Sequence, residues 1–156
     1  MNETAAPHRH HFLYFADPMC SWCWGFTPVI EVIRDHYRDR LPIQMIMGGL
    51  NPGNQQPLDS EARQQLRQHW LDVQQLSGQT FNFNFFERDQ FVYDTEPASR
   101  AVVSCFRIQP TSALAFMRHL QAALYTRNLD ISEESILLQL AQSFGLDLER
   151  FRQTLQ

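Results

Sequence analysis

A pair of cysteines two residues apart, Cys20 and Cys23, sits where an apolar run turns into a helical pattern, and that junction constrains the chain more than any other feature. Phe12-Leu13-Tyr14-Phe15 leads in with strand character, while Val29, Ile30, Val32, Ile33 and Tyr37 lead out at helical spacing. Cysteines so spaced at such a junction form a dithiol rather than a packing pair. At a helix N-terminus the Cys20 sulfur would face unpaired backbone N–H groups and the positive end of the helix dipole, and both favour thiolate. Cys23, one turn further in, is shielded and placed to attack a mixed disulfide formed at Cys20. Two blander readings are weaker. A zinc site needs two further Cys or His ligands, and no CxxC or HxxxH pair recurs, so no metal is expected. A purely structural disulfide closing so short a loop would constrain the unfolded chain only modestly.

The residues around the pair carry a resemblance. Asp17-Pro18-Met19-Cys20-Ser21-Trp22-Cys23-Trp24-Gly25-Phe26 fits a D-P-x-C-S-W-C-W-G-F signature. Met47-Gly48-Gly49-Leu50, Phe85-Phe86-Glu87-Arg88 and Tyr93-Asp94-Thr95-Glu96-Pro97-Ala98 extend the likeness over nearly the whole chain. On these motifs the chain resembles the DsbA-like branch of the thioredoxin superfamily, more narrowly its cytosolic members. The resemblance implies an α/β fold, a thioredoxin-like β-α-β core with an inserted α-helical domain. It also implies thiol–disulfide oxidoreductase or isomerase activity on protein or peptide thiols and disulfides. No bound cofactor is expected, with glutathione entering only as a redox partner. Pro28 lies inside the helical pattern, where it removes a backbone hydrogen bond and should kink the helix; thioredoxin-like proteins carry a kinking proline at that position.

Two departures stand out. The buried carboxylate that many relatives place six residues before the first cysteine is replaced by Tyr14, so that proton acceptor is missing. Asp17 is the nearest substitute, although an Asp-Pro pair is first of all turn chemistry. The family also completes its site with a cis-proline at the start of a later strand. Pro97 and Pro110 each begin a helical pattern instead, and nothing after the helical region reads as that strand, so the later strands are expected to be absent and the chain to be a C-terminally truncated version of a longer protein. Around the sulfurs, Trp22 and Trp24 are expected to shape an apolar surface, while Ser21 adds a weak hydrogen bond or simply suits the first helical turn. Two rival functions remain. One is a glutathione-dependent transferase or isomerase relative, whose members generally lack the paired cysteines; the other is a non-enzymatic redox sensor or client-binding module.

The 156 residues suffice for a core plus a subdomain, and divide at a change of pattern into 1–58, carrying the dithiol, and 59–156, all helical. The net charge of −4 argues against nucleic acid or an anionic membrane surface as a partner, and no apolar run reaches the length of a membrane span. The first residues, Met1 to His11, have no apolar core of the kind that secretory signals use. The expected compartment is the cytoplasm, where a CxxC is usually catalytic. His8, His10 and His11 read as a polar terminus rather than a metal tract.

In chain order, Phe12–Ala16 is expected as a central strand covered on both faces, a helix runs from Cys20 to about Asp39, and Ile43–Met47 forms a second strand parallel to the first. Helices follow: one capped by Asp59 or Ser60 and ended by Gly78, one begun by Thr95 and Pro97, then three from about Thr111, Ser132 and Asp147. The aromatics between Phe81 and Tyr93 pack one element on another or line a groove for unfolded substrate. Cys105 lies on an apolar stripe with Ala98, Ala101 and Val102 and reads as a core residue. A sheet of only two strands would leave the edge of Phe12–Ala16 open and invite a homodimer.

Overall fold

The computed structural model describes residues 10–156; His8 of the histidine cluster lies outside the described residues. Strand β1 (Phe12–Ala16) leads through a short loop into helix α1 (Ser21–Tyr37), and the chain returns as β2 (Ile43–Met47). The two strands pair in parallel with Phe12 opposite Ile43 and Ala16 opposite Met47. Five helices follow, α2 (Ser60–Ser77), α3 (Glu96–Ile108), α4 (Ala113–Tyr125), α5 (Glu134–Phe144) and α6 (Leu148–Leu155). Local chemistry sets their ends. The Asp59 carboxylate accepts a hydrogen bond from the Ala62 N–H, and Gly78 closes α2 in the left-handed conformation open to glycine. Pro97 stands in the first turn of α3, where its missing N–H costs nothing, and Asp147 caps α6.

β1 departs from the expectation of a strand covered on both faces. Tyr14 and Ala16 point inward and are buried, but Leu13 is 46% and Phe15 63% exposed. Successive side chains of a strand point to opposite faces, and the helices cover only one face of this two-stranded sheet. A continuous apolar run signals two buried faces only when something lies on each.

The aromatics after α2 pack rather than line a groove. Phe81, Phe85, Phe91 and Tyr93 are buried, and a 3-10 turn over Phe83–Glu87 folds Phe83, Phe85 and Phe86 around Trp70 of α2. Ala98, Ala101, Val102 and Cys105 form the buried face of α3, and burial pushes the Cys105 thiol up to about 11. On α5 the inward face is Leu137, Leu140 and Ala141, with Ile136 and Phe144 partly buried beside it.

α1 lies against α2 so closely that a methyl group at Gly25 would sit 2.6 Å from Cγ1 of Val73 and 3.4 Å from Cβ of Ser77. Val73 is fully buried, and its branched side chain has little rotamer freedom to yield. Gly25→Ala is therefore expected to destabilise the fold, because overpacking costs about 1–3 kcal/mol and the gain in helix propensity recovers only about 1 kcal/mol. A lower urea midpoint at unchanged slope is the expected outcome; a midpoint at or above that of the parent would show that the two helices can part without strain.

Candidate functional site: a dithiol at the mouth of α1

Cys20 is the N-cap of α1, with extended backbone (φ −84°, ψ 115°), and Cys23 lies in the first turn; both are partly exposed and reduced. The loop that presents them is fixed from several directions. The Asp17 carboxylate, 3% exposed, accepts hydrogen bonds from the N–H of Met19 and, across the sheet, from that of Leu50, both at 2.8 Å. The Cys20 N–H donates to the Asp17 carbonyl at 3.1 Å. The Tyr93 hydroxyl donates to the carbonyl of buried Met19, tying the loop to the helical half of the chain. Asp17 thus builds the turn and staples it to the residues after β2.

Behind the first turn, Pro28 has no N–H to offer the Trp24 carbonyl one turn earlier. The side-chain amide of Gln79 fills the gap, donating to that carbonyl at 3.0 Å. One residue earlier, the Thr27 hydroxyl lies 3.0 Å from the Cys23 carbonyl and 3.0 Å from the side-chain oxygen of fully buried Gln121. A helix interrupted by proline is thereby held through partners from the helical region.

The two sulfurs divide in acidity. Cys20 is lowered to about 6, first by a hydrogen bond from the Cys23 thiol and then by the backbone N–H groups of Cys23 and Trp22; burial and the Asp17 charge oppose this without cancelling it. Cys23 is pushed far above the ordinary thiol range, because its proton is engaged with Cys20 and because it is buried. In the pair, Cys20 carries the charge and Cys23 the proton. Asp17 therefore disfavours the thiolate instead of creating it. Ser21 is buried in the first turn and is not among the donors to Cys20.

The two tryptophans part company. Trp22 is 48% exposed and, with Tyr14, Cys23, Phe26, Val29 and Leu76, lines an open apolar groove of about 590 Å³ between α1 and α2. Trp24 is not part of that surface. It points inward, stacks on Tyr125 at 6.0 Å and donates its indole N–H to the Thr80 carbonyl. Positions two apart on a helix face about 200° apart, so only one of the two can flank the sulfurs from outside. Among the described residues no group of three His, Cys, Asp or Glu side chains is placed to hold a metal ion, and no helix is long and apolar enough to cross a membrane.

Sequence reading missed Tyr93, Gln79 and Gln121, whose distance along the chain from the dithiol leaves no local signal. It treated Tyr14 as a loss, although that side chain alternates to the same buried face as Ala16.

The sequence pattern of the family described as Thioredoxin matches residues 13–156, nearly the whole chain. The chain belongs to the thioredoxin family. Within the thioredoxin family its solved neighbours place it in the DsbA-like branch. A Nitrosomonas europaea protein, provisionally described as a protein disulfide isomerase, superposes with a TM-score of 0.85 at 42% identity, over 92% of this chain and 69% of that one. A cytosolic disulfide reductase, DsbM from Pseudomonas aeruginosa, solved with GSH, superposes with a TM-score of 0.77 at 27% identity, over 93% of this chain and 70% of its own. Among curated sequences, the ClpXP adapter protein SpxH of Bacillus subtilis is 28% identical over 146 residues, covering 90% of this chain and 46% of the relative. The chain spans about half the length of the curated relatives it matches.

Proposed function

We propose that the protein carries out thiol–disulfide exchange through Cys20 and Cys23 on protein or peptide disulfides, with glutathione as a further redox partner. The observation that carries this reading is the placement of the pair at the head of α1, Cys20 at the N-cap and Cys23 in the first turn, both partly exposed; the Cys23 thiol and the first-turn amides lower the Cys20 acidity there. Cys20 attacks a substrate disulfide and forms a mixed disulfide, and Cys23 then displaces the substrate thiolate. The apolar groove beside Cys23 offers an extended chain a surface that is not charge-selective. The disulfide reductase and isomerase descriptions of the solved neighbours support the same chemistry, and the cytosolic description of one of them supports a cytoplasmic setting.

Titrating the Cys20–Cys23 pair against defined glutathione buffers tests the proposal. A thiolate at about 6 lies between the nucleophiles of thioredoxin, about 7, and DsbA, about 3.5. The reduction potential is accordingly expected between about −270 and about −120 mV. Failure of the pair to form a disulfide at any glutathione ratio would sink the reading. The adapter description of the curated relatives favours a second one, in which the exposed apolar surface binds a client without turnover. That reading requires client binding to survive when both cysteines are replaced by serine.

A further inference from the structure

Pro28 leaves a defect in α1 just behind the dithiol, and the residue that repairs it is Gln79. With no N–H of its own, Pro28 cannot donate to the Trp24 carbonyl, and a backbone carbonyl left unpaired inside a fold is costly. The side-chain amide of Gln79 donates to that carbonyl at 3.0 Å. Gln79 reaches it from a firm base. It follows the left-handed glycine that closes α2, its N–H donates to the Ser77 hydroxyl at 3.2 Å, and that hydroxyl donates to the Val73 carbonyl at 2.6 Å. The next residue takes part as well, because the Thr80 carbonyl accepts the Trp24 indole N–H at 3.2 Å. Trp24 is therefore gripped at its carbonyl and at its ring by residues 79 and 80, while its own N–H donates to the Cys20 carbonyl at 3.1 Å.

We propose that Gln79 is a positioning residue that holds Cys23 within reach of Cys20 and so sets the stability of the Cys20–Cys23 disulfide. The inference rests on the dithiol reading above and concerns its second step. The two cysteines are anchored from opposite sides. Cys20 is fixed through the Asp17 loop, whereas Cys23 precedes Trp24, which is fixed by the segment after α2. A helix interrupted by proline bends at the interruption, and without the Gln79 amide that bend loosens Cys23 against Cys20. The direction of the effect follows. A closed disulfide restrains the turn by itself, so the freedom released on losing Gln79 accrues to the open dithiol, and the disulfide becomes easier to reduce.

Exchange with glutathione separates the two steps. The Cys20 thiolate attacks glutathione disulfide, breaks its S–S bond, releases one glutathione thiolate and is left in a mixed disulfide. Cys23 then gives its proton to solvent and attacks the Cys20 sulfur. The Cys20–Cys23 bond forms, the Cys20–glutathione bond breaks, and the second glutathione leaves with the electron pair. Both departing thiolates take protons from water. The dithiol is oxidised by two electrons, and one glutathione disulfide is reduced to two glutathiones. Only the second step depends on where Cys23 is held.

The test uses Gln79→Met in the full chain, which keeps the length of the side chain and removes the donor. Its equilibrium constant for forming the Cys20–Cys23 disulfide in glutathione buffers should fall about two- to tenfold, the range to which one neutral hydrogen bond corresponds. The Cys20–glutathione equilibrium, measured with Cys23→Ser, should change by less than about twofold on the same substitution, because Cys23 takes no part in it. Pro28→Ala returns an N–H to the Trp24 carbonyl, so in that background Gln79→Met should also cost less than about twofold, a coupling that a general loss of stability would not produce. Gln79 is partly exposed and Pro28 exposed, so neither change opens the core. A disulfide in Gln79→Met at least as stable as the parent's, a matching loss in the mixed disulfide, or an undiminished loss beside Pro28→Ala would each overturn the inference and leave the dithiol reading intact. Failure of the unaltered protein to form the disulfide overturns both.

Discussion

Cys20→Ser is expected to abolish disulfide exchange, and Cys23→Ser to leave the first attack intact while the protein accumulates covalently joined to its substrate. The asymmetry follows from the two environments. Cys20 is the partly exposed sulfur at the N-cap, lowered to about 6 and so almost wholly ionised at neutral pH. A serine there has neither an accessible oxyanion nor a neighbouring base to make one. Cys23 is held protonated while Cys20 is charged, so its removal spares the attack and stops the displacement. The sign of the pH dependence is fixed by the same shift. Because the Cys20 acidity lies below that of a free cysteine, about 8.5, alkylation of the reduced protein by iodoacetamide should rise through a midpoint near 6, falling away below it and remaining flat across neutral pH. In Cys23→Ser that midpoint should move upward, since the thiol that most strongly stabilises the thiolate has gone. Undiminished turnover of a peptide disulfide by Cys20→Ser would rule out this division of labour, and an alkylation midpoint at the free-cysteine value would remove its electrostatic basis.

That the dithiol could be found from sequence reflects how local its determinants are. Cys20, Cys23 and the two amides that face Cys20 lie within four consecutive residues, and the strand and helix on either side announce themselves by pattern. The helix ends were legible for the same reason: Asp59, Gly78, Pro97 and Asp147 act on backbone groups within a turn of themselves. What was illegible is non-local. The Tyr93 hydroxyl reaches Met19 across 74 residues, and Thr27 meets Gln121 across 94. Whether Phe15 is buried depends on what lies over the sheet, and the pattern of β1 contains no information about that. Trp24 and Trp22 look equivalent in the motif, yet the helix rotates one into the core and leaves the other at the groove. Asp17 reads as a substitute base until its two oxygens are seen to be taken up by Met19 and Leu50.

Trp70→Ala is expected to be the most damaging single change to stability, and its effect should reach the dithiol helix. Trp70 is 1% exposed, and its ring is surrounded by Phe81, Phe85, Phe86 and Tyr125 at centroid separations of 5.1, 4.8, 4.9 and 5.0 Å. Its indole N–H has no partner, so truncation sacrifices no hydrogen bond and the whole cost is lost packing. Removing a buried tryptophan of this kind costs about 3–5 kcal/mol, which for a domain of this size lowers Tm by roughly 10 °C or more. Trp70→Phe keeps part of the contact area and should cost less than half as much. The cluster also bears on function, because Tyr125 is sandwiched between Trp70 and Trp24, the residue following Cys23. Loosening Tyr125 frees the inner side of the first turn of α1, so Trp70→Ala should raise the alkylation midpoint of Cys20 at temperatures where the protein is still folded, whereas Trp70→Phe should not. Thermal unfolding read by circular dichroism beside the alkylation profile separates the two effects. A Trp70→Ala protein that loses stability with its Cys20 midpoint unmoved would mean that the first-turn amides and Asp17 alone hold the site, and that the aromatic stack behind it serves the fold only.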